Sequence, residues 1–537
     1  MKLGIAAIGA AIAGCLAVPG CSRGASNVRF GDQAQVLHRG IVPDLTDLDP
    51  QLATQTSDYT VLSSLLEGLV SEDPANLHPV PGVAERWEVS PDGLTYTFHL
   101  RADARWSNGD PVTSGDFIAS WRRILTPELG ATTANQLYLI QGAEAFNKGV
   151  ADFAQVGLRA ADPHTLTVSL EHPAPWFLSL LSGPAWMPVP LATIARYGSA
   201  TARGNAWAAP GRWVGNGAFV LGSWSHGQAI VVTRSTTYWD AGRVALAGIH
   251  FHTFDSVDAE ERAFRAGQLH VTETIPPDKI DAYRRDSPTL LRIDPLLGTY
   301  FLRVNVRRPG LSDSRIRLAL ALGLDRAAIV DKVLRGGQAP AYSFTPDGIG
   351  NYAPDPVQRG TLDDARKLLA GAGQAGGGGL PEFALLYNTS EIHREVAEVV
   401  QEMWRRDLGV RVRLVNEDVK SIEEARRAGD YDLLLSSWIA DYVDPSAFLE
   451  MWRGDSGDNF TGWSSGDYDG LLFSAARAAD EASRDALYGK AERLLLGEAP
   501  IIPLYHYTHV FLIQPSVKGW HPNLLDHHPY KDVRLVE

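Results

Sequence analysis

Cysteine is almost absent from this chain: of 537 residues, only Cys15 and Cys21 carry a thiol. Everything after position 21 therefore lacks a disulfide, a cysteine-based metal site and a thiol nucleophile, so packed core must hold it together. Long apolar runs are missing too: the first segment is too short to span a bilayer, and no later run approaches the roughly 20 residues that a spanning helix needs. Positive charge is the minority sign, with 49 Lys and Arg against 63 Asp and Glu and a net charge of −14. That balance excludes a nucleic-acid partner, whose binders neutralise phosphates with clustered Lys and Arg. The basic cluster "RRDLGVRVR" sits among acidic residues and reads as a solvated face. There is also no phosphate loop of the G-x-x-x-x-G-K-[ST] kind and no H-E-x-x-H pair.

What is present begins with "MKLGIAAIGAAIAGCLAVPGCSRGAS", an early Lys, a short apolar segment and a polar tether. It reads as a bacterial export signal, residues 1–21, ending at a lipid-attachment cysteine. Cys21 is favoured because it leads directly into a flexible leader; Cys15, with the better small-residue pattern before it, is the alternative. The 45% apolar content suffices for two to four lobes at about 100–200 residues each.

Periodicity gives the local structure. Tyr96, Phe98 and Leu100 alternate as a half-buried strand, and Ser114 is placed to cap a helix with Phe117, Trp121 and Ile124 on its apolar face. Further on, "FALLYN", "EIHREVAEVVQEMWRRDLG", "VRVRLVN", "SIEEARRAG" and "YDLLLSSW" run β-α-β-α-β. The helical stripe is Val396, Val399, Val400, Met403, Trp404 and Leu408, with Gly409 as its stop. This α/β order predicts a mainly parallel sheet with helices on its faces. Near the end, "APIIPLYHYTHVFLIQPSVKGW" reads as a strand returning through a core.

Several motifs are weaker than they look. Gly371, Gly373 and Gly376 spell G-x-G-x-x-G, but a helix enters and a strand leaves, the reverse of what a dinucleotide needs, so this is a connection. His506 and His509 lie three apart on a strand and point to opposite faces, and His527 and His528 complete no ligand set. They read as ordinary core or surface histidines. Asp441 and Asp444 resemble a glycosidase pair only if their separation suits it. Asp441 lies just past the strand "YDLLLSSW", where α/β sheets bind ligands; a ligand-facing acid and a capping or surface-paired one both fit these residues.

Taken in order, "DLDPQLATQTSDYTVLSSLLEGLV", "PVPGVAERWEVSPDGLTYTFHLRADARWSNGDPVTSGDFIASWRRIL", "VGNGAFVLGSWSHGQAIVVTRSTTYWD" and "GTYFLRVNVRRPGLSDSRIRLALALGLDRAAIVDKV" resemble the extracytoplasmic solute-binding proteins of oligopeptide and dipeptide ABC importers. The resemblance covers nearly all of the chain after the leader. It implies the two-lobed α/β periplasmic-binding-protein fold of type II, in its large peptide-binding class, with an extra subdomain. Lobe one would comprise 27–66, 190–291 and 509–537, the subdomain 67–189 and lobe two 292–508. The function implied is capture of an extended oligopeptide and delivery to an ABC permease and ATPase, with no covalent chemistry, no cofactor and no metal. The protein would act as a periplasmic or extracytoplasmic monomer held to the membrane only by its lipid.

Site residues follow from the same resemblance. Asp441 of the W-x-A-D-Y block would pair with the ligand's α-ammonium. Ser437, Trp438 and Ile439 on one lobe, and Thr54, Gln55 and Thr56 on the other, would pair with the peptide backbone. His393 and Arg426 match positions that some members use for the peptide carboxylate. Leu435 and Leu334 stand where certain relatives have Arg and Lys, with Arg335 as a neighbouring substitute. Two rival readings remain: a murein- or signalling-peptide receptor, and a secreted hydrolase on a similar scaffold.

Overall fold

The computed structural model describes residues 26–42, 45, 47–53, 55–478 and 480–537. Cys15, Cys21 and Thr54 lie outside the described residues. In the first lobe a four-stranded sheet orders Val36–Ile41, Gly248–Thr253, Ala229–Arg234 and Phe219–Ser225, the first two parallel and the rest antiparallel. The extra subdomain is built on an antiparallel sheet of Ala84–Val89, Thr95–Leu100, Thr165–Ser169 and Leu158–Asp162. Tyr96, Phe98 and Leu100 are buried, as their alternation predicts. One apolar cluster, which includes Leu37, Trp121 and Phe251, runs through both units.

The helix Ser114–Leu125 forms where the apolar period places it, but its cap is Thr113 rather than Ser114. Thr113 is extended, and its N–H and hydroxyl both donate to Asp116 Oδ2 at 2.8 Å, a reciprocal box that Ser114 is one residue too late to make. Ser114 instead donates its hydroxyl to the Asp162 carbonyl.

The second lobe carries a six-stranded sheet in the order Ala339–Pro340, Ile501–Leu512, Leu291–Val304, Leu433–Ile439, Phe383–Asn388, Val412–Glu417. Phe383–Asn388 is parallel to both Val412–Glu417 and Leu433–Ile439, as the β-α-β-α-β order predicts for these three strands, but the other pairings are antiparallel, so the sheet is mixed and not mainly parallel. Helix Glu391–Leu408 buries Val396, Val400, Met403, Trp404 and Leu408 against one face of the sheet and stops at left-handed Gly409. Each such side chain contributes about 1.5–3 kcal/mol. Ile422 of helix Val419–Ala428 covers the other face with Leu386 and Leu434. The strands of this sheet thus run buried between helices and deliver their carboxyl ends to an edge of the lobe.

Two strands connect the lobes. Leu291–Pro295 pairs with Thr508–Leu512, and Thr299–Arg303 pairs with Ile501–His506; between them the register shifts. Val271 bridges Arg39 on one side and Ile513 on the other, so the paired strands are tied to the first lobe's sheet.

Candidate ligand site between the lobes

Strand Leu433–Ile439 begins with three buried leucines and from Ser436 onward alternates between half-buried and exposed residues, with Ile439 50% exposed. Leu435 is therefore core, packed within the second lobe. The loop after the strand is pinned by Trp438, whose indole N–H donates to the Ala447 carbonyl at 2.7 Å. Asp441 follows, exposed to a cavity of about 260 Å³ between the lobes. Gln55, Thr56 and Tyr59 line it from the first lobe, Ile439 and Asp441 from the second, with His527 from the C-terminal segment. Desolvation raises the Asp441 carboxyl above the usual carboxylate range, and the charge of His527 opposes that shift. Among the described residues the carboxylate has neither hydrogen bond nor ion pair.

The backbone beside it is also open. Leu433–Ile439 pairs along its whole length with Gly298–Val304, but on its other side only Leu433 and Leu434 have partners, Leu385 and Leu386. The Ala440 N–H donates to Leu297, toward the paired neighbour. Strand alternation then turns the N–H and C=O of Ser437 and Ile439 toward the unpaired side. An unpaired row of this kind is a template for an extended chain.

The other predicted residues separate. Gln55 and Thr56 line the cavity, yet they open a helix rather than a strand: Gln55 is the cap of Thr56–Leu65. Its N–H donates to Asp58 and its carbonyl accepts from Asp58 and Tyr59, so the Gln55 backbone is engaged within the helix. Neither His393 nor Arg426 lines the Asp441 cavity. His393 bonds Asn388 at 2.7 Å and stacks on Tyr300, and burial lowers its pKa, which makes it a neutral ring. Arg426 pairs with Glu423 and lies over the Phe460 ring. Leu334 is buried, and the exposed Arg335 beside it donates to the Lys332 carbonyl.

Asp444 is not a partner of Asp441. It is buried in an ion pair with Arg484 at 3.2 Å and also caps Ser446. His506 bonds the Thr299 hydroxyl, while His509 is held between Asp526 and the Glu273 carbonyl. His528 bonds Asp526.

His527 is the residue that sequence reasoning undervalued. It faces Asp441 across the cavity, packs at a tilt against the Tyr59 ring and pairs with Glu72 at 2.9 Å. Burial works against its charge, but Glu72 and, further off, Asp526 and Asp441 raise its pKa. Its spacing from Glu72 is 455 residues, so no local pattern could have revealed the pair.

Known proteins share this organisation. The periplasmic oligopeptide-binding protein OppA of Escherichia coli (strain K12) is 35% identical over 497 residues, covering 91% of this chain and 90% of that one. The unliganded open form of the periplasmic murein tripeptide-binding protein MppA superposes with a TM-score of 0.81 at 34% identity, covering 94% of this chain and 98% of MppA. Haemophilus influenzae OppA in complex with RPPGFSPFR gives a TM-score of 0.77 at 31% identity, with 94% and 99% covered. Residues 78–460 match the model of the bacterial extracellular solute-binding proteins, family 5. The chain is a member of that family.

Proposed function

We propose that this protein is the substrate-binding component of a peptide ABC importer, which takes up extended oligopeptides between its lobes and presents them to a permease. One observation carries the reading: an unpaired carboxylate, Asp441, opens on the cavity between the lobes at the end of a strand whose neighbouring edge is open. An α-ammonium satisfies the first and a peptide backbone the second. Solute-binding relatives with oligopeptide names, one of them crystallised with a nonapeptide, support it. No catalytic step is needed, since Asp444 is committed to Arg484 and leaves Asp441 without a partner acid.

Within this reading, lobe one comprises 27–66, 190–291 and 509–537, the subdomain 67–189 and lobe two 292–508. The paired crossing strands support that division, and their register shift between Pro295 and Thr299 supports a bend at 295–299 and 506–508. The protein works outside the cytoplasm as a lipid-anchored monomer, attached through Cys21. The likeness to MppA favours murein peptides as a second ligand class for the same cavity.

The test is calorimetry with free and N-acetylated tri- to pentapeptides on the wild type and Asp441→Ala. Removing one member of a buried ion pair costs about 3–5 kcal/mol, so the variant should lose most of its affinity for free peptides and little for acetylated ones. Equal losses for both would overturn the ammonium assignment. Mass spectrometry of ligand released from the purified protein by denaturation distinguishes dietary from murein peptides.

A further inference from the structure

The first lobe holds a second cluster of functional groups, remote in sequence from the cleft-lining strand. Parallel pairing sets His38 beside His250 and Gly40 beside His252. Residues two apart on a strand share a face, so His38, His250 and His252 all project from one side of the sheet. Leu37, Ile249 and Phe251 occupy the other side, in the apolar core. The three imidazoles each offer a nitrogen, and those nitrogens lie within 4.8 Å of one another. Nδ1 of His38 and Nε2 of His252 are 2.9 Å apart.

His38 is 5% exposed, and its Nε2 has no partner. The Nδ1 that faces His252 already shares a hydrogen bond with that ring, whose place a bound metal ion would take. The ring is also held in place. His270 stacks 5.6 Å from it, accepts the His38 backbone N–H on Nδ1 and sets Nε2 3.3 Å from Asp32. Its Nδ1 is taken by the backbone and its Nε2 is turned toward Asp32 without a hydrogen bond, so His270 is a wall of the cluster rather than a donor to it. Helix Asn27–Ala34 closes over the top with Gly31, where a β-carbon would sit 2.6 Å from His270 and 3.1 Å from His38.

We propose that His38, His250 and His252 form a binding site for a divalent first-row transition-metal ion, with zinc as its simplest occupant. Three neutral imidazoles suit Zn, Cu or Ni and leave a fourth position for water. Half-buried His250 and His252 keep that position accessible. With Zn–N bonds of about 2.0–2.1 Å, tetrahedral ligand nitrogens stand about 3.3 Å apart, so the widest present separation must contract by about 1.5 Å. Rotation of the two half-buried rings supplies that movement without disturbing the strands.

The test uses the untagged full chain, stripped with a chelator and titrated with Zn²⁺ by calorimetry and with Co²⁺ by visible absorption. The expected result is one ion per chain, with the intense cobalt bands of a four-coordinate site. His250→Ala and His252→Ala should each weaken binding by more than the about 10–100-fold that loss of an outer-shell partner costs. Both residues are half-buried, which avoids the folding risk of replacing His38. Wild-type peptide affinity in both variants would show that they remain folded. Unchanged metal binding in the double variant, or only the weak bands of six-coordinate cobalt, would overturn the site.

Discussion

At the scale of single residues, Asp441 makes the sharpest demand on solution conditions. In the role proposed for it, it would bind an ammonium only when ionised, and desolvation raises its pKa while His527, itself backed by Glu72 and Tyr59, opposes the rise. In the free protein, protons therefore compete with ligand at a higher pH than they would at an exposed Asp. Affinity for peptides with a free N-terminus is complete above that raised pKa and falls as pH drops through it; N-acetylated peptides show no such fall. Calorimetry from pH 7 downward measures this, and matching profiles for the two ligand types would refute it. A second residue-scale demand is structural. Arg123 holds Asp49 in two bonds of 3.0 and 2.6 Å and also reaches Gln51, with side chains 1% and 4% exposed for the pair. The pair fixes the 47–53 segment that leads into the cavity wall. Arg123→Met leaves a buried carboxylate uncompensated, and chemical denaturation should report a loss of about 3–5 kcal/mol.

At the scale of elements, the open side of Leu433–Ile439 predicts how a guest is held. Ile439→Pro removes an N–H that faces away from the paired strand, so the sheet keeps its ladder while the guest loses a donor. Peptide affinity should fall by about tenfold, the equivalent of one net hydrogen bond, with little change in melting temperature. Peptides N-methylated along the backbone should show the same loss on the wild type; if they bind unimpaired, the guest does not pair with this edge. Much of this architecture is legible in the sequence, because period 3.6 in Val396–Leu408 and the glycine after it state both a helix and its end. The same holds for the run of leucines that makes the strand. What escapes is any feature decided by a partner distant in the chain or by one competing hydrogen bond. Asp58 turns Gln55 into a helix cap, Asp116 moves a cap from Ser114 to Thr113, and Glu72 makes His527 part of the site. His250 and His252 did carry a local signal, two histidines at strand spacing, but their third member lies on another strand.

At the scale of the whole molecule, the proposed capture of a ligand between the lobes predicts that they move, and the crossing strands are the proposed place of the bend. Between the Pro295–Thr508 and Thr299–His506 pairs, Leu296, Leu297 and Gly298 face Tyr507 alone, so the ladder between the two crossing strands is already interrupted there, and Leu297 is held instead by Leu524 and Ala440. On the second lobe Tyr442 stacks on Trp176 of the subdomain at 6.3 Å, a contact that a hinge at this point would tighten or release. Gly298 is the constrained element of that bend. A β-carbon there would lie 3.0 Å from Ile439 Cγ1, the Trp438 carbonyl and the Tyr507 ring, tying the crossing strand to both neighbours. Gly298→Ala should therefore stiffen the bend, weaken peptide binding and reduce the ligand-induced fall in radius of gyration seen by small-angle scattering. Binding energy drives closure only to the extent that the closed state is preferred, so an added cost at the hinge appears directly as lost affinity. Were the variant to bind and contract as the wild type does, the bend would lie elsewhere, and the loops outside the paired strands would have to carry it.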